Sequence, residues 1–134
     1  MIDGAPVGFA ASSFTSVSLE PPLVSLCVAN TSTTWPLLRD APSFGVSVLA
    51  ADQAEVGRQL AARNTDRFAN LDWRATSDGA VMLEGASAWL HCSTHAVYPG
   101  GDHEMVVLRL HDLNADDNIR PLVFHASKFH RLQV

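Results

Sequence analysis

The residues most able to do chemistry in this chain are hydroxyls in two clusters. Ser12, Ser13, Thr15, Ser16 and Ser18 crowd one short stretch, and Ser32, Thr33 and Thr34 form a second. Neutral donors and acceptors on a bent strand suit a polar heterocycle, which must be hydrogen-bonded without strong charge. The same residues also suit an ordinary turn-rich corner. The second cluster precedes Trp35-Pro36, and hydroxyls followed by proline mark a helix start. Free backbone N–H groups at such a place attract phosphate, although simple capping is the commoner use. Arg39, Arg63 and Arg67 can add positive charge. Together the clusters point to a phosphorylated, aromatic ligand.

Other chemistries are excluded by pattern. The chain has no G-x-G-x-x-G, no G-x-x-x-x-G-K and no G-x-S-x-G, and Lys128 is its single lysine. His103-Glu104 begins like a zinc-protease motif, but Val107 stands where the second histidine belongs. His91, Cys92 and His95 resemble a metal cluster until their spacing is placed on a strand. Four residues then separate the histidines by about 13 Å, and Cys92 faces the other way, so no metal centre is expected.

These residues need a scaffold, and the chain is long enough for one domain over residues 1–134. It is 47% hydrophobic and 17% charged, which favours a packed core. Nine basic and 14 acidic residues give a net charge of −5, against nucleic-acid binding. No apolar run reaches the roughly 20 residues of a membrane helix. Cys27 and Cys92 sit in apolar segments and are expected to be reduced, buried thiols of a cytoplasmic protein.

The pattern is mainly β with two helical interruptions. Val7 to Ala11, Val17 to Leu19, Leu23 to Ala29, Phe44 to Ala50 and Ala86 to Val97 read as extended segments. So do Met105 to Leu113, Pro121 to His125 and Phe129 to Leu132. Pro21-Pro22 should end a ladder. One helix is expected to start at Trp35. A second opens on a capping-box-like Asp52-x-x-Glu55 and stops near Asn64. Tyr98 to Asp102 is a strong turn. Short strands with few helices imply a closed or nearly closed barrel.

The stretch Gly8-Phe-Ala-Ala-Ser-Ser-Phe-Thr-Ser-Val-Ser-Leu-Glu-Pro-Pro-Leu-Val24 resembles the signature of the flavin reductase-like family, the small reductase components of two-component flavin monooxygenases. Asn30 to Thr34, Phe44 to Leu49 with Gln53, Asp66-Arg-Phe68, Gly85 to Leu90, Gly101-Asp-His103 and Pro121 to Phe124 extend the likeness along almost the whole chain.

The resemblance implies an FMN-binding split β-barrel, antiparallel and Greek-key-like, usually a homodimer. Its members transfer hydride from NADH or NADPH to FMN or FAD and hand the reduced flavin to a monooxygenase. By position, Ser12, Ser13 and Phe14 would line the isoalloxazine, and Thr15, Ser16, Val17 and Ser18 the ring or ribityl chain. Cys27, Val28 and Ala29 would offer backbone polar groups. Ser32, Thr33 and Thr34 would hold the phosphate, Gln53, Leu60 and Arg67 the far edge, and His103 would sit near the nicotinamide. The cofactors carry the hydride chemistry; the protein stacks the rings and stabilises reduced flavin.

Relatives usually carry a helix and a strand ahead of the position of Gly8. The resemblance therefore also implies a shortened N-terminal element and a sheet edge covered by dimerisation or another element. Glu104 and Arg109 replace residues that are usually apolar or glycine, altering the nicotinamide groove. A non-catalytic flavin carrier, a barrel dimer without cofactor and a deazaflavin enzyme are the other readings.

Overall fold

The computed structural model describes residues 1–125 and 128–131. Strands β1 (Thr15–Leu19), β2 (Pro22–Ala29), β3 (Phe44–Val48), β6 (Ala88–Gly100) and β7 (His103–Ala115) form one antiparallel sheet in the order β1-β2-β7-β6-β3. Two hairpins accompany it, β4 (Trp73–Ala75) with β5 (Val81–Leu83), and β8 (Leu122–His125) with β9 (Lys128–Arg131). Helices α1 (Trp35–Leu38) and α2 (Ala54–Ala61) are short. The chain is mainly β, as its pattern of short apolar runs requires.

Alternation explains the core. Val24, Leu26 and Val28 of β2 are buried, and so are Val106 and Leu108 of β7 and Leu90 and Cys92 of β6. Trp35 meets Phe44 edge-to-face at 6.0 Å, closing one end. Cys92 is fully buried, and that burial pushes its thiol up to about 12, so it packs as a neutral apolar group. Cys27 does not share this setting. It faces away from Val28 and is exposed, correcting the expectation of two buried thiols.

Several boundaries differ from the sequence pattern for local reasons. Val7 to Ala11 joins no strand among the described residues, the Gly8 carbonyl accepting instead from Arg67. Pro22 opens a strand rather than ending one, because Glu20 and Pro21 form the turn between the paired Leu19 and Pro22. Asp52 does not cap α2. The position before the helix is Gln53, whose Oε1 accepts the Ala50 N–H at 2.8 Å. The Tyr98-to-Asp102 turn shrinks to Gly101 and Asp102, with Gly101 at φ +71°, and the ladder runs to the Gly100–His103 pair. The β6–β7 register shifts twice, with His111 the extra residue on β7 and His95 the extra residue on β6, so the expected simple alternation of β6 holds through Cys92 and breaks at His95. Leu132, expected to end the last strand, lies outside the described residues.

Histidine 91 serves packing. Its Nε2 meets Asp78 at 2.9 Å, tying the β4–β5 turn to the sheet, while Ser93 and His111 bond at 2.7 Å beside it. The Thr76 hydroxyl above all, then Ser43 and His91, hold the Asp78 carboxyl down to about 2, against the opposing effect of burial. A depressed carboxylate stabilises the fold above its ordinary value of 3.8, and that contribution disappears as pH falls through about 2. Acid unfolding followed by circular dichroism should therefore begin at higher pH in Asp78→Asn than in the parent. The β4–β5 hairpin also passes so close to β3 that a Cβ on Gly45 would lie 2.2 Å from the Val81 carbonyl oxygen. Gly45→Ala should lower the urea midpoint by the equivalent of about 1–3 kcal/mol, because backbone must move.

Candidate functional site

The end of β2 gathers the residues that could do chemistry. Ser13 Oγ accepts the Cys27 N–H at 2.9 Å and donates to the Cys27 carbonyl at 3.3 Å, which fixes the Ser12–Phe14 segment beside the strand. Two residues on, the Ala29 carbonyl accepts the Ser32 N–H at 2.9 Å, turning the chain into the second hydroxyl cluster. Asn30 holds a third piece. Its backbone N–H donates to the Asp102 carbonyl at 2.9 Å and its Nδ2 to the Gly101 carbonyl at 3.1 Å.

Register decides which side chains share a face. Cys27 lies opposite Met105, and Ala29 opposite His103. Since side chains alternate along a strand, Cys27, Ala29, Met105 and His103 all belong to the outer face, with Val28 turned into the core. His103 Nδ1 lies 2.7 Å from Asp102 Oδ1, and the histidine's hydrogen bond and charge hold that carboxyl below its ordinary range. With Nδ1 engaged, Nε2 is the ring nitrogen left for a ligand.

A second constellation surrounds Arg67. Its Nε donates to the Ala62 carbonyl at 2.8 Å, and its Nη1 to the Gly8 carbonyl at 3.1 Å and to Thr34 Oγ1 at 3.0 Å. Gly8 leads into the first hydroxyl cluster and Thr34 ends the second, so one guanidinium joins both. Beneath Ser12 and Phe14, a largely apolar cavity of about 370 Å³ extends between β3 and α2, with Leu60 and Phe68 in its wall.

Several residues named from the sequence have other duties. Ser32 Oγ accepts the Trp35 N–H at 3.2 Å, and the helix it starts has four residues, too short to carry much dipole. Gln53 uses both ends of its amide within the chain, on Ala50 and on the Glu84 carbonyl. Leu60 is buried in the wall of the cavity that Ser12 and Phe14 also line. The Cys27 backbone groups are taken by Ser13, and Val28 presents no side chain outward. Ser12, Thr15, Ser16, Val17 and Thr33 are exposed, Ser18 and Thr34 half-buried. Glu104 pairs loosely with Arg39 at 3.9 Å. Asn30 and Asp102 have no role legible in the sequence, because theirs depends on bringing together turns some 70 residues apart.

The family model described as "Flavin reductase like domain" matches residues 2–133, and the chain belongs to this family. Its fold is the split barrel implied by the resemblance. The chain is 39% identical over 127 residues to the "Flavin-dependent monooxygenase, reductase subunit HsaB" of Rhodococcus jostii (strain RHA1), a match covering 95% of this chain and 65% of that protein. It is 37% identical over 123 residues to a flavin reductase of Pseudomonas putida, covering 92% and 72% respectively. Among solved structures, the Streptomyces globisporus C-1027 NADH:FAD oxidoreductase SgcE6, in complex with NAD and FAD fragments, superposes with a TM-score of 0.92 at 35% identity. That superposition covers 99% of this chain and 81% of the other.

Proposed function

We propose that the chain is a single flavin reductase-like domain, an NAD(P)H-dependent reductase of FMN, with FAD as the alternative flavin, that supplies reduced flavin to a monooxygenase. One observation carries this reading: the end of β2 ties the Ser12–Phe14 segment, the Ser32–Thr34 turn and the His103 turn to one another. Family membership and the names of the relatives agree with it.

The residues present fit a flavin nucleotide, which is flat and apolar at one edge, polar at the other and anionic at its tail. Phe14 and the cavity wall supply apolar contact. Ser12, Thr15, Ser16 and Ser18 supply hydroxyls for the ring and ribityl chain, with Ser13 holding the segment in place. Thr33 and Thr34 supply donors for the phosphate. When bound, the flavin supplies a hydride-accepting ring and the nicotinamide a hydride. The chain's own part is positional. The Ser13 clamp on Cys27 keeps Ser12 and Phe14 in place before binding, lowering the ordering cost. His103, braced by Asp102 and Asn30, offers Nε2 to orient the nicotinamide or take part in proton balance.

A homodimer belongs to the same proposal. Cys27, Met105 and Tyr98 are successive cross-strand partners, so they form one row across three strands, and all three are exposed. Val17 and Leu19 of edge strand β1 are exposed as well. An apolar row of this length on an outer sheet face suits burial against a second copy. Among the described residues no helix is long and apolar enough to cross a membrane. A cytoplasmic setting agrees with two free cysteines, one of them exposed, and the net charge of −5 argues against nucleic acid.

Anaerobic titration with FMN and FAD, followed by NADH and NADPH, tests the activity. Flavin absorbance should bleach on adding a reduced nicotinamide, and His103→Ala should raise the nicotinamide KM or slow the bleaching. Bound flavin that does not bleach would make the protein a carrier, and absence of flavin binding would leave a structural barrel. Analytical ultracentrifugation should show a dimer in the parent and a monomer in Tyr98→Asp.

A further inference from the structure

We infer that Asn30 is a positioning residue for nicotinamide use, acting through His103. It docks the β6–β7 turn on the turn that ends β2, and so holds the Asp102–His103 pair at a fixed place beside the hydroxyl clusters. This rests on the reductase reading above. The tip of the hairpin needs such a tie. A Cβ on Gly101 would meet nothing within 4 Å, so the turn projects into open space and packing does not hold it. The Asp102 side chain is 95% exposed and that of His103 45%, so water competes for the bonds made there. Pairing with β2 reaches the hairpin only as far as His103, opposite Ala29. Beyond that pair, among the described residues, Asn30 is the one residue outside the hairpin that bonds Gly101 or Asp102.

The two bonds fall on consecutive carbonyls. Asn30 Nδ2 donates to Gly101 at 3.1 Å and the backbone N–H to Asp102 at 2.9 Å. Each peptide group is planar, so holding both oxygens orients the two planes that flank Asp102. Little freedom is then left in its φ and ψ, and the carboxylate is aimed at His103 Nδ1, which it meets at 2.7 Å. Asn30 is itself held. It is the second residue of the tight turn that the Ser32 N–H closes on the Ala29 carbonyl at 2.9 Å. That turn opens the second hydroxyl cluster, so histidine and hydroxyls are referenced to one residue. The side chain must be an amide for this purpose, because a carboxylate would set an oxygen against the Gly101 carbonyl. What Asn30 governs is therefore where a nicotinamide meets His103, and flavin affinity does not depend on it.

FMN titrations and steady-state reduction with NADH and NADPH, on the full chain, test this. Asn30→Asp is the main variant, because it keeps the size of the side chain and the backbone N–H and removes only the Nδ2 donor. It should raise the nicotinamide KM about 3- to 10-fold, the worth of one neutral hydrogen bond. The Kd for FMN should stay within about twofold of the parent's and the melting curve should not move. Asn30→Ala should behave in the same way. In a His103→Ala background neither substitution should add a further loss, since both act through the histidine. An unchanged nicotinamide KM in Asn30→Asp would overturn the assignment and leave the reductase reading standing. So would equal losses of FMN and nicotinamide affinity, or losses that add in full to those of His103→Ala. A parent that binds flavin without bleaching on either nicotinamide overturns both.

Discussion

Seven consecutive antiparallel pairs, from Leu23 with Arg109 to Ala29 with His103, lock β2 onto β7. A shift of one residue in this ladder would turn Val24, Leu26 and Val28 out of the core and bring Ser25 and Cys27 in. The apolar side therefore enforces the register, and the register places His103 on the same face as Cys27, to which Ser13 is tied. The geometry of the candidate site is in this sense a by-product of core packing. No polar interaction at the site has to specify it alone.

Much of the fold was legible in the residues. The apolar runs Leu23 to Ala29 and Phe44 to Ala50 became strands with nearly those limits, and the Trp35-Pro36 signal marked a real helix start. What failed were features set by partners distant in sequence. Val7 to Ala11 has strand-like composition, but a side chain 59 residues away from Gly8 takes its carbonyl. Cys27 reads as core from its neighbours and lies outside because alternation, not mean hydropathy, decides the face.

The site was legible in the same partial way. The hydroxyl clusters were conspicuous, and their connection was not, because it runs through Arg67 and through Asn30, neither of which lies within the first cluster. Local capping rules correctly located the Ser32 turn, where its oxygen accepts the Trp35 N–H and keeps the hydroxyl proton to donate. Residues whose polar atoms are already used within the chain build the frame. Arg67 and Thr34 belong to that frame too, tying Gly8 to the turn that precedes α1.

The two-residue turn at Gly101 and Asp102 joins the longest pair of strands, thirteen residues each. Contacts in that hairpin are close in sequence and need little loop closure, so it can assemble early and independently of the rest. The ties from Ser13 to Cys27 and from Arg67 to Gly8 and Thr34 close loops of 14, 59 and 33 residues. The histidine thus rides on a local hairpin, while the tie between the hydroxyl clusters brings together residues 59 and 33 positions apart.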